Sequence, residues 1–371
     1  MDFELTDEQR AFQESVRKFL QANAAPAQVR RFVDGDPSYD QRVWRAMATE
    51  LGLHGLAIGE EHGGAGASLV ELALVLEETG RALLCSPLFA TVVLAATALQ
   101  NSGDKDAQAR WLPQIAAGEL VATVALAEGR GPYHLDATRT RATNTPRGWF
   151  LNGRKRFVLD ADSADLILVA AQTDTGLSLF AVRSSAAGLT RTAMPLLDPT
   201  RPLSEVDLVD VEAELVGVDG LAHRPLRRTL TLATIGLAAE QVGVTQACLD
   251  MAVGYANTRV QFGRPIGSFQ AIKHKCADML VNAEASRSMT YFAAWSAAND
   301  SDDQTLLAEM TGAYVSEAAF RSASENLQIH GGIGYTWEHD AHLLFKRAVS
   351  SARILRSPND RREAIATDIG L

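Results

Sequence analysis

The chain has few of the features that would mark a metal-binding, secreted or nucleic-acid-binding protein. Its 371 residues include only three cysteines, Cys85, Cys248 and Cys276, which form neither a CxxC pair nor a zinc-finger spacing. Positive charge is also scarce, since 35 Lys and Arg stand against 45 Asp and Glu, for a formal net charge of −10. We therefore expect buried free thiols, no metal site and no nucleic-acid partner, which would require a basic surface.

Long apolar runs are missing as well. No stretch approaches the ~20 apolar residues of a membrane span. The first residues, MDFELTDEQR, lack the basic start and apolar core of a signal peptide. We expect a cytoplasmic protein with no membrane partner. Aromatic residues make up only 6% of the chain, whereas hydrophobic residues make up 47%. The many alanines and leucines among them favour packed helices.

The spacing of apolar residues predicts helices at both ends of the chain. From Thr6 to about Gly118, Leu, Phe and Val recur three and four residues apart. Thr6 is placed to cap the first helix, with Gln9 in its first turn. Long Ala- and Leu-rich stretches run from about Leu221 to the carboxyl end. Both terminal parts are therefore predicted to be helical.

The middle of the chain has a different pattern. From Val121 onward, short apolar runs lie between turn residues and predict strands, at residues 121–126, 149–151, 166–170 and 177–182. Asn152-Gly153 is typical of a type I′ hairpin turn. We predict an α+β, mainly α chain with three domains. These are a helical domain at residues 1–120, a β-domain at residues 121–222 and a helical domain at residues 223–371.

A first motif, RVQFGRPIGSFQ, occupies residues 259–270 and interrupts the helical pattern. Arg259 stands one turn before Phe262, and Gly263 follows directly. A guanidinium held in place can bind a pyrophosphate through two hydrogen bonds, and an aromatic side chain can pack beside a ribityl or adenine group. The motif therefore predicts a nucleotide-phosphate site; a plain turn with a solvated arginine is the alternative.

A second motif, QIHGGIGYTWE, is called here the glycine segment (residues 328–338). Gly331 and Gly332 allow the backbone to approach a ligand where a side chain would block it. Gln328 adds an amide that can hydrogen-bond to the same ligand. Taken alone, such a segment more often marks a turn than a site.

The two motifs lie about 70 residues apart with helices between them, and this combination resembles the acyl-CoA dehydrogenase family. The resemblance covers essentially the whole chain. It implies an N-terminal helical lobe, a central β-barrel-like domain, a C-terminal four-helix bundle and FAD as the cofactor. It also implies residues that hold the ADP half of an FAD bound mainly by a neighbouring subunit. These are Arg259, Phe262, Gly263, Gln328, Gly331 and Gly332.

The segments that would hold the flavin ring depart from the family's pattern. Where the family has Thr-Glu-Pro-x-x-Gly-Ser-Asp, residues 127–134 are AEGRGPYH, and only Glu128 is retained. The family's Trp-Ile-Thr corresponds to Phe157-Val158-Leu159, which keeps an aromatic residue but loses the threonine. Each lost hydrogen bond weakens binding by roughly 1 kcal/mol. We therefore expect this chain to hold a flavin ring poorly by itself.

The catalytic base also departs from the pattern. The family removes the α-proton of an acyl thioester with a glutamate, and in its common version that position corresponds to Arg356, a cation that cannot accept a proton. In members that carry the glutamate on the first carboxyl-lobe helix, the position corresponds to Ala233. Glu240, two helical turns further on, is the remaining candidate, unless it only anchors a neighbouring helix.

Four other titratable residues near the glycine segment are expected to be structural. His330 and His342 have rings that could act as bases, but isolated histidines next to glycine or on a helix are usually satisfied by local contacts. Glu338 and Asp340 correspond to acidic positions that are structural in the family. We therefore assign no catalytic role to any of them.

The chain keeps the motifs for the ADP half of FAD and lacks those for the flavin ring and the catalytic base. By resemblance, this implies the partner subunit of a heterotetrameric enzyme, similar to actinobacterial enzymes of steroid breakdown. The resemblance implies an acyl-CoA substrate, fatty or steroid side-chain, that is oxidised to a 2-enoyl-CoA. Its implied partners are a paralogous acyl-CoA dehydrogenase subunit, in an α2β2 assembly, and an electron-transfer flavoprotein. Two alternatives stay open: a self-sufficient homotetramer with Glu240 as base, and a thioester-binding or scaffold protein without a redox role.

Overall fold

The structure, a computed structural model, describes residues 5–35, 39–129 and 134–371. Its α-helices within these ranges are α1 (Asp7–Asn23), α2 (Pro26–Val33), α3 (Gln41–Thr49), α4 (Leu69–Arg81), α5 (Thr97–Ser102), α6 (Lys105–Ala116), α7 (His223–Thr258), α8 (Gln270–Ala298), α9 (Gln304–His330), α10 (Ala341–Ile354) and α11 (Pro358–Asp368). A π-helix spans Phe89–Ala96. The strands are β1 (Ala122–Ala125), β2 (Arg141–Thr145), β3 (Gly148–Leu159), β4 (Leu166–Gln172), β5 (Leu177–Arg183), β6 (Leu189–Ala193), β7 (Leu203–Val216), β8 (Val260–Gln261) and β9 (Arg264–Pro265).

The chain forms two compact units, each assembled from separate stretches of sequence. The first unit contains the stretches Met1–Arg31, Leu69–Leu84 and Thr234–Leu371, and the second contains Phe32–Ser68 and Cys85–Ala233. Among the helices that the structure describes, none has the length and apolar character needed to cross a membrane. The division into three domains stays a prediction.

In the first unit, helix α1 begins with the predicted cap. The Thr6 hydroxyl accepts a hydrogen bond from the Gln9 amide at 3.1 Å, and the Thr6 amide donates to the Gln9 side chain at 3.0 Å. This reciprocal pair satisfies two backbone amides that would otherwise lack partners at the helix end. The prediction that Thr6 caps this helix is confirmed.

Helices α4 and α7 meet backbone to backbone in the first unit. A Cβ atom built on Gly243 would lie 1.9 Å from the Glu77 carbonyl oxygen, and one built on Gly80 would lie 1.9 Å from the Glu240 carbonyl oxygen. Only glycine permits so close an approach. The crossing therefore sets the position of α7, which carries Glu240 and ends immediately before Arg259.

Buried charges join other helices of the first unit to α4. Glu77 and Glu78 are 3% and 2% exposed. Arg287 of α8 lies 3.1 Å from the Glu77 carboxylate, and the Tyr291 hydroxyl donates to Glu77 at 2.7 Å. Arg17 of α1 lies 2.7 Å from Glu78. Burial raises the pKa of Tyr291, and the neighbouring Glu77 carboxylate raises it further. These contacts tie α1 and α8 to the central helix.

The second unit contains a closed β-barrel. Strand β4 pairs with β5, β5 with β7, β7 with β3, β3 with β2 and β2 with β4, so five strands form a ring. Strand β1 lies beside β4, and β6 lies beside β7. The predicted strands at residues 121–126, 166–170 and 177–182 are confirmed. Strand β7 was missed, although its alternation of apolar and acidic residues is the signal of a half-buried strand.

The predicted hairpin turn at Asn152-Gly153 is wrong. Strand β3 runs continuously through both residues, and its pairing with β7 shifts register there, as at a β-bulge. A Cβ atom on Gly153 would lie 2.6 Å from the Thr140 hydroxyl, so the glycine permits a close approach of β3 to the residue that precedes β2. Asn152 bonds to Asp210 across the sheet at 2.8 Å. The tertiary pairing therefore overrides the local turn preference.

His54 is a buried histidine in the second unit. It is 0% exposed, and within the described chain neither ring nitrogen has a hydrogen-bond partner. The ring lies edge-on to Trp44 with 3.9 Å between centroids. Burial lowers the pKa of His54 from 6.5 to about 4, because the imidazolium would lose its hydration.

Acid should therefore destabilise the folded chain through His54. The unfolded chain takes up a proton on this residue below pH 6.5, whereas the folded chain does so only near pH 4, so stability falls as pH decreases across that window. From pH 7 to pH 4, the free energy of unfolding should fall by about 3 kcal/mol more in the wild type than in His54→Phe. Urea denaturation at pH 7, 5.5 and 4 measures the difference. If the free energy of unfolding falls equally in both proteins, His54 is not the source of the acid sensitivity.

Candidate functional site

The first motif forms a tight hairpin directly after α7, called here the Phe262 hairpin (residues 260–265). Strands β8 and β9 pair through Val260 with Pro265 and Gln261 with Arg264. The two turn residues, Phe262 and Gly263, have φ values of +53° and +76°. Positive φ at both central positions is typical of a type I′ turn. Local hairpin geometry, rather than the predicted helix break alone, therefore shapes this motif.

The hairpin exposes Phe262 to solvent and holds its backbone in an unfavourable conformation. Phe262 is 91% exposed, and its left-handed conformation is unfavourable for a bulky side chain. Its ring lies 6.1 Å from that of Phe269, and the Arg264 guanidinium lies 4.1 Å from the Phe269 ring centre. Strained residues that persist in a fold cluster at ligand sites and switches. The geometry therefore favours an external contact for Phe262.

The glycine segment also lies open. Helix α9 ends at His330, and residues Gly331–Tyr335 form a single 3₁₀ turn. A Cβ atom on Gly331 or Gly332 would meet nothing within 4 Å, so neither glycine is required for internal packing. The side chain of Gln328 is exposed, and its amide donates to the Tyr335 hydroxyl at 3.0 Å. Backbone and amide groups are thus available to a ligand on the surface.

The fold brings the two motifs together through a ring contact. Tyr255 of α7 stacks on His330 of α9, with 4.3 Å between ring centres. Tyr255 lies one turn before Arg259, and His330 directly precedes Gly331. His330 also bonds through Nδ1 to the Asn326 carbonyl at 2.8 Å, and burial lowers the pKa of its ring. His330 therefore joins the two helices that carry the motifs. Sequence reasoning missed Tyr255.

The residues gathered here fit the ADP half of FAD. Arg259 is exposed and has no ion-pair partner among the residues that the structure describes, so its guanidinium is available to an anionic diphosphate. The open backbone at Gly331 and Gly332 allows close approach, and Phe262 offers an aromatic surface. The donor set of one cation, bare backbone, an amide and an aromatic ring matches a nucleotide diphosphate.

In the second unit, Glu128, the glutamate retained after β1, forms an ion pair and hydrogen bonds within the fold. Glu128 lies 2.6 Å from the ammonium of Lys155, which is 0% exposed, and accepts hydrogen bonds from the Arg139 and Thr140 amides at 2.6 and 2.9 Å. Burial lowers the pKa of Lys155 to about 8. Burial opposes ionisation of Glu128, yet the Lys155 charge and these hydrogen bonds bring its pKa below the usual value. Glu128 thus anchors the barrel.

The position that the resemblance assigns to a flavin-facing aromatic is strained. Phe157 has a φ of +54° and is half-buried, with the Arg156 guanidinium 5.4 Å from its ring centre. This backbone lies where the pairing of β3 with β7 shifts register between Lys155 and Val158, as at a β-bulge. Arg130, Gly131, Pro132 and Tyr133, which belong to the altered flavin loop, lie outside the described residues.

At the common position of the base, the structure shows an ion-paired arginine. Arg356 lies 3.0 Å from Glu309, whose other oxygen lies 2.7 Å from Arg361. None of residues 353–358 carries a carboxylate. Glu309 is shared between two guanidiniums. This corner of the first unit is therefore a structural cluster of charges.

Glu240 is a buried carboxylate with a cationic neighbour. It is 6% exposed and lies 3.9 Å from Arg347 of α10, which is 1% exposed. Its own backbone packs against Gly80 at the crossing of α4 and α7. This arrangement supports the interpretation of Glu240 as an anchor between helices. Ala233, at the other family position of the base, is buried and has no titratable group.

The remaining titratable residues near the glycine segment have local contacts. His342 is 7% exposed, its ring meets the Trp337 ring edge-on at 4.6 Å, and burial lowers its pKa. Asp340 lies 2.7 Å from Arg30 of α2, and Glu338 is exposed. Cys85 and Cys248 are buried, as expected, whereas Cys276 is only half-buried.

Family models match nearly the whole chain. Residues 6–119 match the acyl-CoA dehydrogenase N-terminal domain, residues 123–211 the middle domain and residues 224–359 the C-terminal domain. The acyl-CoA dehydrogenase IpdE2 of Mycobacterium tuberculosis is 35% identical over 364 residues, 98% of each chain. IpdE2 of Mycolicibacterium smegmatis is 33% identical and covers 98% of this chain and 100% of its own.

Solved structures share the fold. Butyryl-CoA dehydrogenase from Megasphaera elsdenii has a TM-score of 0.92 at 28% identity, over 100% of both chains. A chain of the ChsE4-ChsE5 complex from Mycobacterium tuberculosis has a TM-score of 0.90 at 29% identity, over 100% of this chain and 99% of that one. The predicted fold class and the predicted cofactor, FAD, are confirmed. On both sequence and fold, the chain belongs to the acyl-CoA dehydrogenase family.

Proposed function

We propose that this chain is the partner subunit of an FAD-dependent acyl-CoA dehydrogenase, in which it completes the FAD site of a second family member and supplies no catalytic base. One contrast carries the proposal. Arg259, Phe262 and the backbone at Gly331 are presented outward, whereas Arg356 and Ala233 occupy the positions where the family carries its glutamate. The chain thus keeps the groups that would bind the FAD of a neighbouring subunit and lacks the base that its own catalysis would need.

The reaction is the α,β-dehydrogenation of an acyl-CoA to a 2-enoyl-CoA. The α C–H bond breaks and its proton passes to a carboxylate, which the paralogous chain provides. When bound, FAD would supply the acceptor for the hydride that leaves with the β C–H bond. Arg259 would neutralise the diphosphate of FAD, and Gln328 and the open glycine backbone would orient it. By similarity to the family, the electron acceptor would be an electron-transfer flavoprotein.

Exposed apolar residues on two helices of the first unit support an oligomer. Helices α8 and α9 expose between 37% and 64% of seven large apolar or aromatic side chains, those of Leu280, Val281, Phe292, Trp295, Met310, Tyr314 and Phe320. Soluble monomers rarely expose so many large apolar groups on neighbouring helices, and burial against another chain removes them from water. The α2β2 assembly supplies that second chain.

The solved relatives support a heteromeric enzyme of steroid-derived substrates. The ChsE4-ChsE5 structure is a complex of two different chains. The Tcur3481-Tcur3483 steroid ACAD, solved as a single-residue variant, has a TM-score of 0.89 at 30% identity and 98% coverage of both chains. By similarity, the acyl group of this chain's substrate comes from a steroid side chain, with a fatty acyl-CoA as the simpler alternative.

Purified alone, the chain should be colourless and inactive. Co-purified with a paralogue encoded beside it, the complex should contain FAD and form enoyl-CoA, because the paralogue provides the ring pocket and the base. Absorbance in the visible flavin band and enoyl-CoA formation with an artificial electron acceptor measure both properties. A full complement of FAD and enoyl-CoA formation by the isolated chain would contradict the proposal.

The Glu240→Gln variant distinguishes the proposal from the alternative of a self-sufficient homotetramer that uses Glu240 as its base. In the complex, this change should leave turnover intact, since Glu240 pairs with Arg347 inside the first unit. Loss of turnover with flavin still bound would instead favour Glu240 as the base. A colourless complex with no turnover at all would favour the thioester-binding scaffold.

A further inference from the structure

The connection between α9 and α10, residues 331–340, carries the open glycines and has little regular structure beyond one 3₁₀ turn. The Gly331 amide bonds back to the end of α9, but a Cβ atom on Gly331 or Gly332 would meet nothing within 4 Å, so no close packing surrounds this backbone. Ordering such backbone on ligand binding would reduce affinity, so a site that is preorganised binds more tightly. A contact from elsewhere in the chain can supply this preorganisation.

Arg30 of helix α2 reaches across to the far end of the connection. Its Nε donates to Asp340 Oδ1 at 2.8 Å, and its Nη2 lies 2.7 Å from the same oxygen. Its Nη1 donates to the Trp337 carbonyl oxygen. One planar guanidinium thus binds a side chain and a backbone carbonyl three residues apart, which the single ammonium of lysine cannot do with the same geometry.

Other contacts complete the restraint on both sides of the glycines. The Trp337 ring contacts two residues of α10: the Lys346 ammonium lies 4.3 Å from its centre, and the His342 ring packs at a steep angle with 4.6 Å between centres. At the near end, His339 packs on His330 with 4.4 Å between ring centres. The open glycines therefore lie between two points held from other helices: His330 stacks on Tyr255 of α7 at the near end, and Arg30 of α2 holds Trp337 and Asp340 at the far end.

We propose that Arg30 is a positioning residue that holds the connection 331–340 in its binding shape before FAD arrives. This inference rests on the proposed function, because it takes the glycine segment to hold FAD. It adds a residue that neither motif contains and that lies 310 residues from its partner Asp340 in the sequence. Arg30 touches no ligand in this role; it acts through Trp337 and Asp340.

Arg30→Gln tests the proposal by hydrogen exchange in the full-length chain and by FAD affinity in the complex. Amides of residues 331–340 should exchange about tenfold faster, and the dissociation constant for FAD should rise by about tenfold, as expected for loss of a charge-assisted contact. Arg10→Gln is the matched control, since Arg10 forms an exposed ion pair with Asp7 within α1. Arg30→Lys should restore the charge but only part of the protection.

Two outcomes separate the inference from the function beneath it. Unchanged exchange at residues 331–340 in Arg30→Gln overturns the positioning role, whatever happens to FAD. If these amides exchange faster but the dissociation constant for FAD is unchanged, Arg30 restrains the connection, yet the glycine segment does not bind FAD. That result would count against the proposed function. If Arg30→Gln does not fold, Asp340→Asn gives the same readouts, because it weakens the pair yet leaves the Trp337 carbonyl contact in place.

Discussion

Replacing Gly243 by Ala should lower the free energy of unfolding by roughly 3 kcal/mol, the upper part of the range for overpacked sites. The new Cβ would lie 1.9 Å from the Glu77 carbonyl oxygen and 2.6 Å from the Arg81 amide nitrogen. Both are backbone atoms of α4, so neither can turn aside as a flexible side chain would. Relief requires the two helices to separate, which would expose part of the interior of the first unit.

Gly254→Ala is the matched control on the same helix. A Cβ there would meet nothing within 4 Å, and Ala favours helix over Gly by about 0.5–1 kcal/mol, so this variant should gain stability. Urea denaturation of both variants gives the comparison. Shifts of the same sign and size would show that the close crossing at Gly243 is not what limits substitution. Gly80→Ala, on the other helix, should behave like Gly243→Ala.

Replacing Arg259 by Ala should weaken FAD binding by the assembled complex by about two orders of magnitude. Hydrogen bonds between a guanidinium and an anionic oxygen contribute about 1.5–3 kcal/mol, and each 1.4 kcal/mol is a factor of ten. Since Arg259 is exposed in the described chain, its removal should leave the melting temperature of the isolated chain unchanged. Flavin content after gel filtration and fluorescence titration with FAD measure the effect.

Arg321→Ala provides the comparison for this experiment. Arg321 is also an exposed arginine of the first unit, on α9, and lies 3.5 Å from Glu317. Its removal takes away the same charge from a different place, so FAD binding should hardly change. Equal flavin content in both variants would remove Arg259 from the FAD site. The scaffold alternative would then gain support.

The local patterns of the sequence predicted much of the fold. The Thr6 cap, the two helical ends and strands β1, β4 and β5 follow from residue spacing and capping chemistry, which act over a few residues. The pattern failed at Asn152-Gly153, where a turn preference lost to the pairing of β3 with β7. That pairing joins residues more than fifty positions apart, as in Asn152 with Asp210, and no local signal reports it.

The amino-acid sequence alone determined which chemical groups exist near the site. It shows that residues 353–358 include no carboxylate and that the two motifs contain an arginine, a glutamine and bare glycines. Only the tertiary structure decided how these groups are held. Phe262 faces outward in a strained turn, Tyr255 and His330 join the two motifs, and Arg30 contacts the connection beyond the glycines. Each depends on packing or pairing between distant parts of the chain, because the free energy that holds a strained turn or an ion pair in place comes from the surrounding fold.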